Sequence, residues 1–236
     1  MIEFALAYSE YSKMEPTDAY KLVKKAAKKV YSTEKYHRRG EFGELYLHTI
    51  LREIYNTEPA VSKIFYKDSE NDTVKGFDCV HISVTQDDEI ELWIGEVKFY
   101  QDIDDAISKV IPEIKDHVQT DYLKSEFSII LDKVDPKWPH SEKFQQLLDP
   151  NTKLEDIFSR ACIPILLTYN SPALIDYERI KEEYKEKLSQ ELVKHFENFN
   201  NKYQVNEIRI HLILLPLQDK SQLLEKCHEA LKSCQV

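Results

Sequence analysis

Three short runs rich in β-branched and aromatic residues, Val61–Tyr66, Phe77–Val84 and Ile90–Tyr100, follow one another with polar turns at Lys67–Asp72 and Gln86–Asp88. Connections this short leave no room for a helical crossover, so the runs predict an antiparallel meander. Ahead of it, Gly40–Tyr55 places Leu47, Ile50, Leu51 and Ile54 at helical spacing. Behind it, Asp102–Val118 does the same with Ile103, Ala106, Ile107, Val110 and Ile114, and Pro112 is a point for a kink. A less regular stretch containing Asp135-Pro-Lys-Trp-Pro-His leads to a buried strand, Ile163–Tyr169, and a charged helix, Tyr177–Phe199. In the last strand, Glu207–Leu215, Ile208, Ile210 and Leu212 alternate with Arg209 and His211; a helix over Lys220–Leu231 closes the chain. The succession is helix, meander, helix, strand, helix, strand, helix, which predicts one mixed α/β layered domain over residues 1–236.

Apolar residues make up 42% of the 236, the composition of a globular protein. The apolar run Ile163–Leu167 is far shorter than the roughly 20 residues of a membrane helix. Glu3 and Glu10 interrupt the N-terminal segment where an export signal carries a basic flank and an unbroken apolar stretch. Cys79, Cys162, Cys227 and Cys234 form no CxxC or CxH pair, which argues against a zinc site or a disulfide framework. A reduced, cytoplasmic setting is expected.

The net charge of −10 speaks against a protein that coats nucleic acid by bulk attraction. Yet Lys13–Arg39 holds nine basic and three acidic residues, a local +6 that leaves −16 for the remainder. Within it Asp18–Val30 reads as a helix, N-capped by Thr17 behind Pro16. Lys21, Lys24, Lys25, Lys28 and Lys29 share one face, and Leu22, Ala26 and Val30 turn inward. Residues 1–39 are thus a basic helical segment ahead of a core at 40–236. The lysine face reads either as a solvated surface or as a contact for phosphates or an acidic partner.

Glycine is scarce, and all four residues, Gly40, Gly43, Gly76 and Gly95, precede an acid closely: Glu41, Glu44, Asp78 and Glu96. Glycine belongs where backbone approaches something closely or takes unusual dihedrals, so this placement points to a site. Gly76-Phe77-Asp78 is followed by Gly95-Glu96-Val97-Lys98. Strand alternation puts Glu96 and Lys98 on one face about 7 Å apart along the backbone. Ile90–Phe99 is otherwise apolar on both faces, and two charges inside it need a partner or a task. Asp78 and Glu96 offer hard oxygen ligands for Mg²⁺ (or Mn²⁺), the Val97 carbonyl between them a further one, and Lys98 a group to orient or deprotonate water or steady the charge on a phosphate in transfer. The bland alternative is a turn cap at Asp78 and a surface pair at Glu96 and Lys98.

These residues resemble the PD-(D/E)xK nuclease superfamily, with Phe77 where its name has proline. The likeness implies a restriction-endonuclease-like mixed central sheet flanked by helices, here with an added N-terminal basic helix. It also implies that an acid on the first core helix completes the site; Glu44 is the matching position, acting on the metal through a water. His48, at i+4 from Glu44, then stands in a supporting shell. A narrower resemblance rests on Arg39-Gly-Glu-Phe-Gly-Glu-Leu-Tyr-Leu-His, Lys63-Ile-Phe-Tyr-Lys, Val74-Lys-Gly-Phe-Asp-Cys-Val-His and Trp93-Ile-Gly-Glu-Val-Lys-Phe-Tyr, with Asp105-Ala-Ile after them. Over about residues 38–117 the chain is similar to the HamA family, the nuclease component of Hachiman anti-phage defence. That likeness implies a DNase restrained or delivered by a separate helicase, HamB, with Asp78, Glu96, Lys98 and Glu44 as catalytic positions.

No GxxxxGK[ST] phosphate loop occurs, so an ATP-driven step belongs to another polypeptide. Lys75 and Tyr100 join Lys24, Lys25, Lys28 and Lys29 as candidate contacts to nucleic acid or a partner; an exposed turn lysine and a core-closing tyrosine are their bland readings. His81 is expected to face away from Asp78 in a structural role, Trp138 to anchor packing, and Cys79 to act as a small buried apolar residue. Two other functions stand beside the DNase: a non-catalytic binding or regulatory subunit on the same fold, and a nuclease of the same chemistry acting on RNA or in repair.

Overall fold

The computed structural model describes residues 1–30, 40–62, 76–176, 182–204 and 208–235. Its centre is a five-stranded sheet: β1 (Glu58–Ser62), β2 (Cys79–Val84), β3 (Ile90–Phe99), β4 (Ala161–Asn170) and β5 (Arg209–Leu217), lying side by side in chain order. The β1–β2 and β2–β3 pairs are antiparallel, which bears out the meander, and β3–β4 and β4–β5 are parallel. β4 is buried along nearly its whole length, as a strand with parallel neighbours and helices on both faces should be. The first strand begins at Glu58, ahead of the expected Val61, and Lys63–Tyr66 lies outside the described residues, as do Lys75, Arg38 and Arg39.

The N-terminal region is more helical than expected. Short helices α1 (Ile2–Ala5) and α2 (Tyr8–Tyr11) precede a 3-10 turn at Pro16–Asp18 and helix α3 (Ala19–Val30). Thr17 is therefore inside a turn opened by Pro16, whose fixed φ starts the coil early, and is not the N-cap of α3. Phe4, Ala5 and Leu6 are buried with Ala26, Ala27 and Val30 of α3 and with Phe42, Leu47 and Leu51 of α4 (Glu41–Glu53). Arg52 of α4 closes this layer, its Nε donating to Glu3 at 2.8 Å and its Nη1 to the Thr57 carbonyl at 2.8 Å.

The opposite face of the sheet carries α5 (Ile103–His117), whose Asp102 N-cap accepts from the Asp105 N–H at 2.9 Å. The helix continues through Pro112 to His117. The stretch expected to be irregular holds three more helices, α6 (Thr120–Lys133), α7 (Ser141–Leu147) and α8 (Leu154–Ser159). The buried positions of α6 are Leu123, Glu126, Phe127 and Ile130; a glutamate inside the stripe hides the helical repeat. Trp138 is buried against Phe144, their rings 5.7 Å apart, as an anchor between α6 and α7. After β4 come a short helix, α9 (Pro172–Asp176), and the charged helix α10 (Glu182–Lys202), in which Phe199 is the fully buried residue. The closing helix, α11 (Lys220–Ser233), packs Leu224 and Leu231 on the α4 side of the sheet. Helices thus cover both faces of the sheet. Among the described residues no helix is long and apolar enough to cross a membrane.

A buried histidine pair ties α4 to the sheet. His48 Nδ1 and His81 Nε2 are 3.1 Å apart, and His81 Nδ1 meets Thr57 Oγ1 at 2.8 Å. Burial first, then the N-terminal ammonium and Arg52, pulls His48 down to about 3; burial, His48 and Arg52 pull His81 well below the ordinary value. Both rings are therefore neutral when folded and take up protons more readily when unfolded. Their contribution to stability is complete above the unfolded value of about 6.5 and is lost as pH falls from there toward 3. Melting temperature should accordingly fall steadily on acidification below about pH 6.5. His48→Gln should flatten that decline, and an equally steep decline in the variant would remove the histidine pair as its cause.

Candidate active site

Asp78 lies in the bend just before β2, and its position is set from both sides of Glu96. Its N–H donates to the Gly95 carbonyl at 2.8 Å, and its Oδ2 accepts from the Val97 N–H at 2.7 Å. A side-chain carboxylate here takes the place of a backbone partner that β2 no longer supplies. In a strand the N–H and C=O of one residue leave on the same side, so the Val97 carbonyl faces the Asp78 edge as well. Gly76 makes the approach with φ +130°, a conformation that other residues rarely adopt. A Cβ on Gly76 would sit 2.4 Å from Glu126 Oε1, so the dihedral is what calls for glycine and a side chain there would also displace the Glu126 carboxyl.

Glu96 is 2% exposed and Asp78 6%. Burial first, and Asp78 second, push the Glu96 carboxyl above its usual range, and His117 and Lys98 only partly oppose them. Lys98 Nζ is 3.6 Å from Glu96 Oε2 and also pairs with Glu113 of α5. Burial alone would depress the Lys98 ammonium, but Glu96, Glu113 and Asp78 more than offset it and hold the group above its ordinary value. Lys98 is therefore a positive charge held beside the two carboxylates.

Glu44 comes from α4, beneath the sheet, and is 6% exposed. At the buried Cys79 thiol, at the start of β2, burial first, then Asp78, Glu44 and Glu96 in turn, drive the pKa well up. Lys98 adjoins Glu96, and both meet side chains of α5, whereas Glu44 sits on α4 at the other face of the sheet. His48 turns Nδ1 to His81 and lies in the same helix as Glu44, one turn on. His81 faces α4, its Nε2 turned to His48 of that helix.

The expected contact residues are more dispersed. Lys25 pairs with Glu10 at 2.6 Å and Lys21 with Asp18 at 3.0 Å, while burial lowers the Lys29 ammonium. Lys24 is half-buried and Lys28 exposed on the same helix. Tyr100 is half-buried beside the core, with Lys220 Nζ 5.9 Å from its ring. The expected contact Lys75 is outside the described residues.

Three acid–base residues at the site escape a reading of the sequence alone. Glu113 and His117 project from α5, and Glu126 from α6 is buried against Gly76. His117 Nδ1 is 2.7 Å from Glu96 Oε1, though the ring N–H is not well aligned with that oxygen and neither atom has a better partner. The signal for His117 was present: it continues the buried stripe Ile103, Ile107, Val110, Ile114 by one more step.

Among the described residues no three His, Cys, Asp or Glu side chains form a ready metal cage. Mg²⁺ does not require one. It binds through one or two carboxylates and keeps several waters, which fits a buried carboxylate pair beside an edge carbonyl. A cavity of about 850 Å³ is framed by Thr120, Lys124, Leu154 and Phe158 and includes none of these carboxylates.

The sheet and its contents define an α/β protein whose buried acid pair and charged lysine meet on β3, where antiparallel pairing gives way to parallel. The chain belongs to the HamA family, whose model matches residues 1–231, so the likeness seen in residues 38–117 extends over nearly the whole chain. Membership brings with it a defence-related role of the Hachiman type. No curated protein matches the chain.

Proposed function

We propose that this protein is a Mg²⁺- or Mn²⁺-dependent nuclease of PD-(D/E)xK type that hydrolyses DNA phosphodiesters as the effector of a bacterial anti-phage system. The observation that carries the reading is Asp78, bonded to both Gly95 and Val97 so that it straddles Glu96, with Lys98 held positive beside them. Asp78, Glu96 and the Val97 carbonyl would hold the cation, and Glu44 would act on it through a water. When bound, that cation acidifies water and neutralises phosphate charge. Lys98 directs its ammonium at the oxygens that gain charge as phosphorus becomes five-coordinate. The lysines of α3 (Lys24, Lys25, Lys28, Lys29), with Lys75 and Tyr100, contact DNA or a partner.

A helicase on a separate chain restrains or delivers the nuclease. The support is the missing phosphate loop and a net charge of −10, which makes a poor stand-alone DNA binder. The isolated chain should therefore bind duplex DNA weakly, and tight binding with a steep salt dependence would contradict this division of labour. The reading itself is tested by plasmid cleavage with Mg²⁺ or EDTA, with and without the helicase. Lys98→Ala should abolish metal-dependent cleavage. A second reading, a non-catalytic subunit, draws on the same hydrogen bond from Val97 to Asp78, since that carboxylate also closes a sheet edge. It gains if Lys98→Ala and Glu96→Ala both unfold the protein, and the nuclease reading fails if both variants cut as well as wild type.

A further inference from the structure

Helix α5 meets β3 with matched spacing. Four residues of helix advance about 6 Å and two residues of strand about 7 Å, so an i, i+4 pair on the helix can face an i, i+2 pair on the strand one to one. Glu113 and His117 are such a pair, and they meet Lys98 and Glu96 respectively, in the antiparallel sense expected of a helix folding back along the strand it follows. The His117 ring is held on two sides: Tyr122 stacks on it at 4.5 Å and 14°, and Phe77, next to Asp78, meets it edge-on at 5.1 Å. Its orientation is therefore fixed by packing, and its Nδ1 is left 2.7 Å from Glu96 Oε1.

We infer that His117 and Glu113 are positioning residues, His117 setting the orientation of the Glu96 carboxylate toward the cation and Glu113 setting the Lys98 ammonium toward the phosphate. The inference rests on the nuclease reading of the same site. It follows from a general feature of metal sites, that a ligand free to swing binds poorly, and partners behind a ligand matter nearly as much as the ligand. Glu96 has a backbone strand to hold its Cα, and His117 of α5 stands 2.7 Å from its Oε1 to hold the carboxylate end. Lys98 is similarly a long side chain that loses its aim without Glu113.

Two His117 variants separate positioning from packing. His117→Phe keeps a ring between Tyr122 and Phe77 but has no nitrogen. His117→Asn loses the ring but keeps a polar atom on Cγ, where Nδ1 stands. Mn²⁺ binding by calorimetry on the full chain, without DNA, should weaken about tenfold in His117→Phe and stay within about threefold of wild type in His117→Asn. Cleavage should follow the same order through kcat, with KM for DNA unmoved. Glu113→Ala should leave Mn²⁺ affinity unchanged and lower kcat about tenfold or more. The inference is overturned if His117→Phe matches wild type and His117→Asn is impaired, which is the signature of packing alone, or if Glu113→Ala has wild-type kcat. Should His117→Phe melt far below wild type, the Asn variant and Glu113→Ala still decide. Glu96→Ala runs as the reference: unaltered Mn²⁺ affinity there would refute the site itself, whereas its loss beside wild-type His117→Phe would refute only the positioning role.

Discussion

Glu96→Gln is expected to melt at or above the wild-type temperature in EDTA and yet cut DNA at least about 10³-fold more slowly. The two effects have one cause. Two carboxylates are buried together on β3 and the bend before β2, and in the absence of a cation their repulsion is only partly relieved by Lys98 and His117. Burial first, and that residual repulsion second, hold the Glu96 carboxyl above its ordinary range. A group whose folded pKa is raised costs stability once the pH is high enough to ionise it, so exchange for a neutral isostere removes the cost. The same exchange removes a hard anionic ligand and with it the reason for a divalent cation to stay. Mg²⁺ should therefore raise the melting temperature of the wild type, because it binds the folded chain alone, and leave Glu96→Gln unmoved. Thermal denaturation with and without Mg²⁺, beside plasmid cleavage, reads all three. A Glu96→Gln protein that melts well below wild type in EDTA would show that the carboxylate is a structural anchor.

The extent to which this arrangement can be read from sequence varies with the range of the interaction involved. Strand alternation suffices to put Glu96 and Lys98 on one face, and short turns suffice for the antiparallel half of the sheet, because both are local. Helical spacing locates α4, α5 and α11 to within a few residues. It fails for α6, whose inward stripe is interrupted by Glu126, and for α1 and α2, which are too short to repeat. Within the site, Asp78 and Glu96 are legible through the glycines that precede them. Glu113 and Glu126 are not, since their significance comes from how α5 and α6 return to the sheet, a matter of tertiary packing that no local pattern encodes; for His117 the α5 stripe foretells an inward position but not the meeting with Glu96.

The glycines yield the other large effect. Helix α4 carries Glu44 toward the sheet only because two glycines let backbone approach backbone. A Cβ built on Gly95 would lie 2.6 Å from Cys79 Sγ and 2.7 Å from Leu47 Cδ2, and one on Gly43 would lie 2.7 Å from Val97 Cγ1 and 2.9 Å from Phe99 Cβ. Leu47 and Cys79 are fully buried, so neither has solvent to move into, and the helix must back away. Overpacking of this kind costs about 1–3 kcal/mol, so Gly95→Ala should lower the melting temperature by roughly 3–10 °C for a chain of this length. It should also slow cleavage, because Glu44 recedes with its helix from Asp78 and Glu96. Cys79→Ala removes one of the two clashing atoms. The double variant Gly95→Ala/Cys79→Ala should therefore be more stable than the sum of the single changes predicts, with a coupling of about 1 kcal/mol in a thermal double-mutant cycle. Strict additivity would mean that β3 itself yields at Gly95, in which case α4 keeps its place and the loss of cleavage should vanish with it.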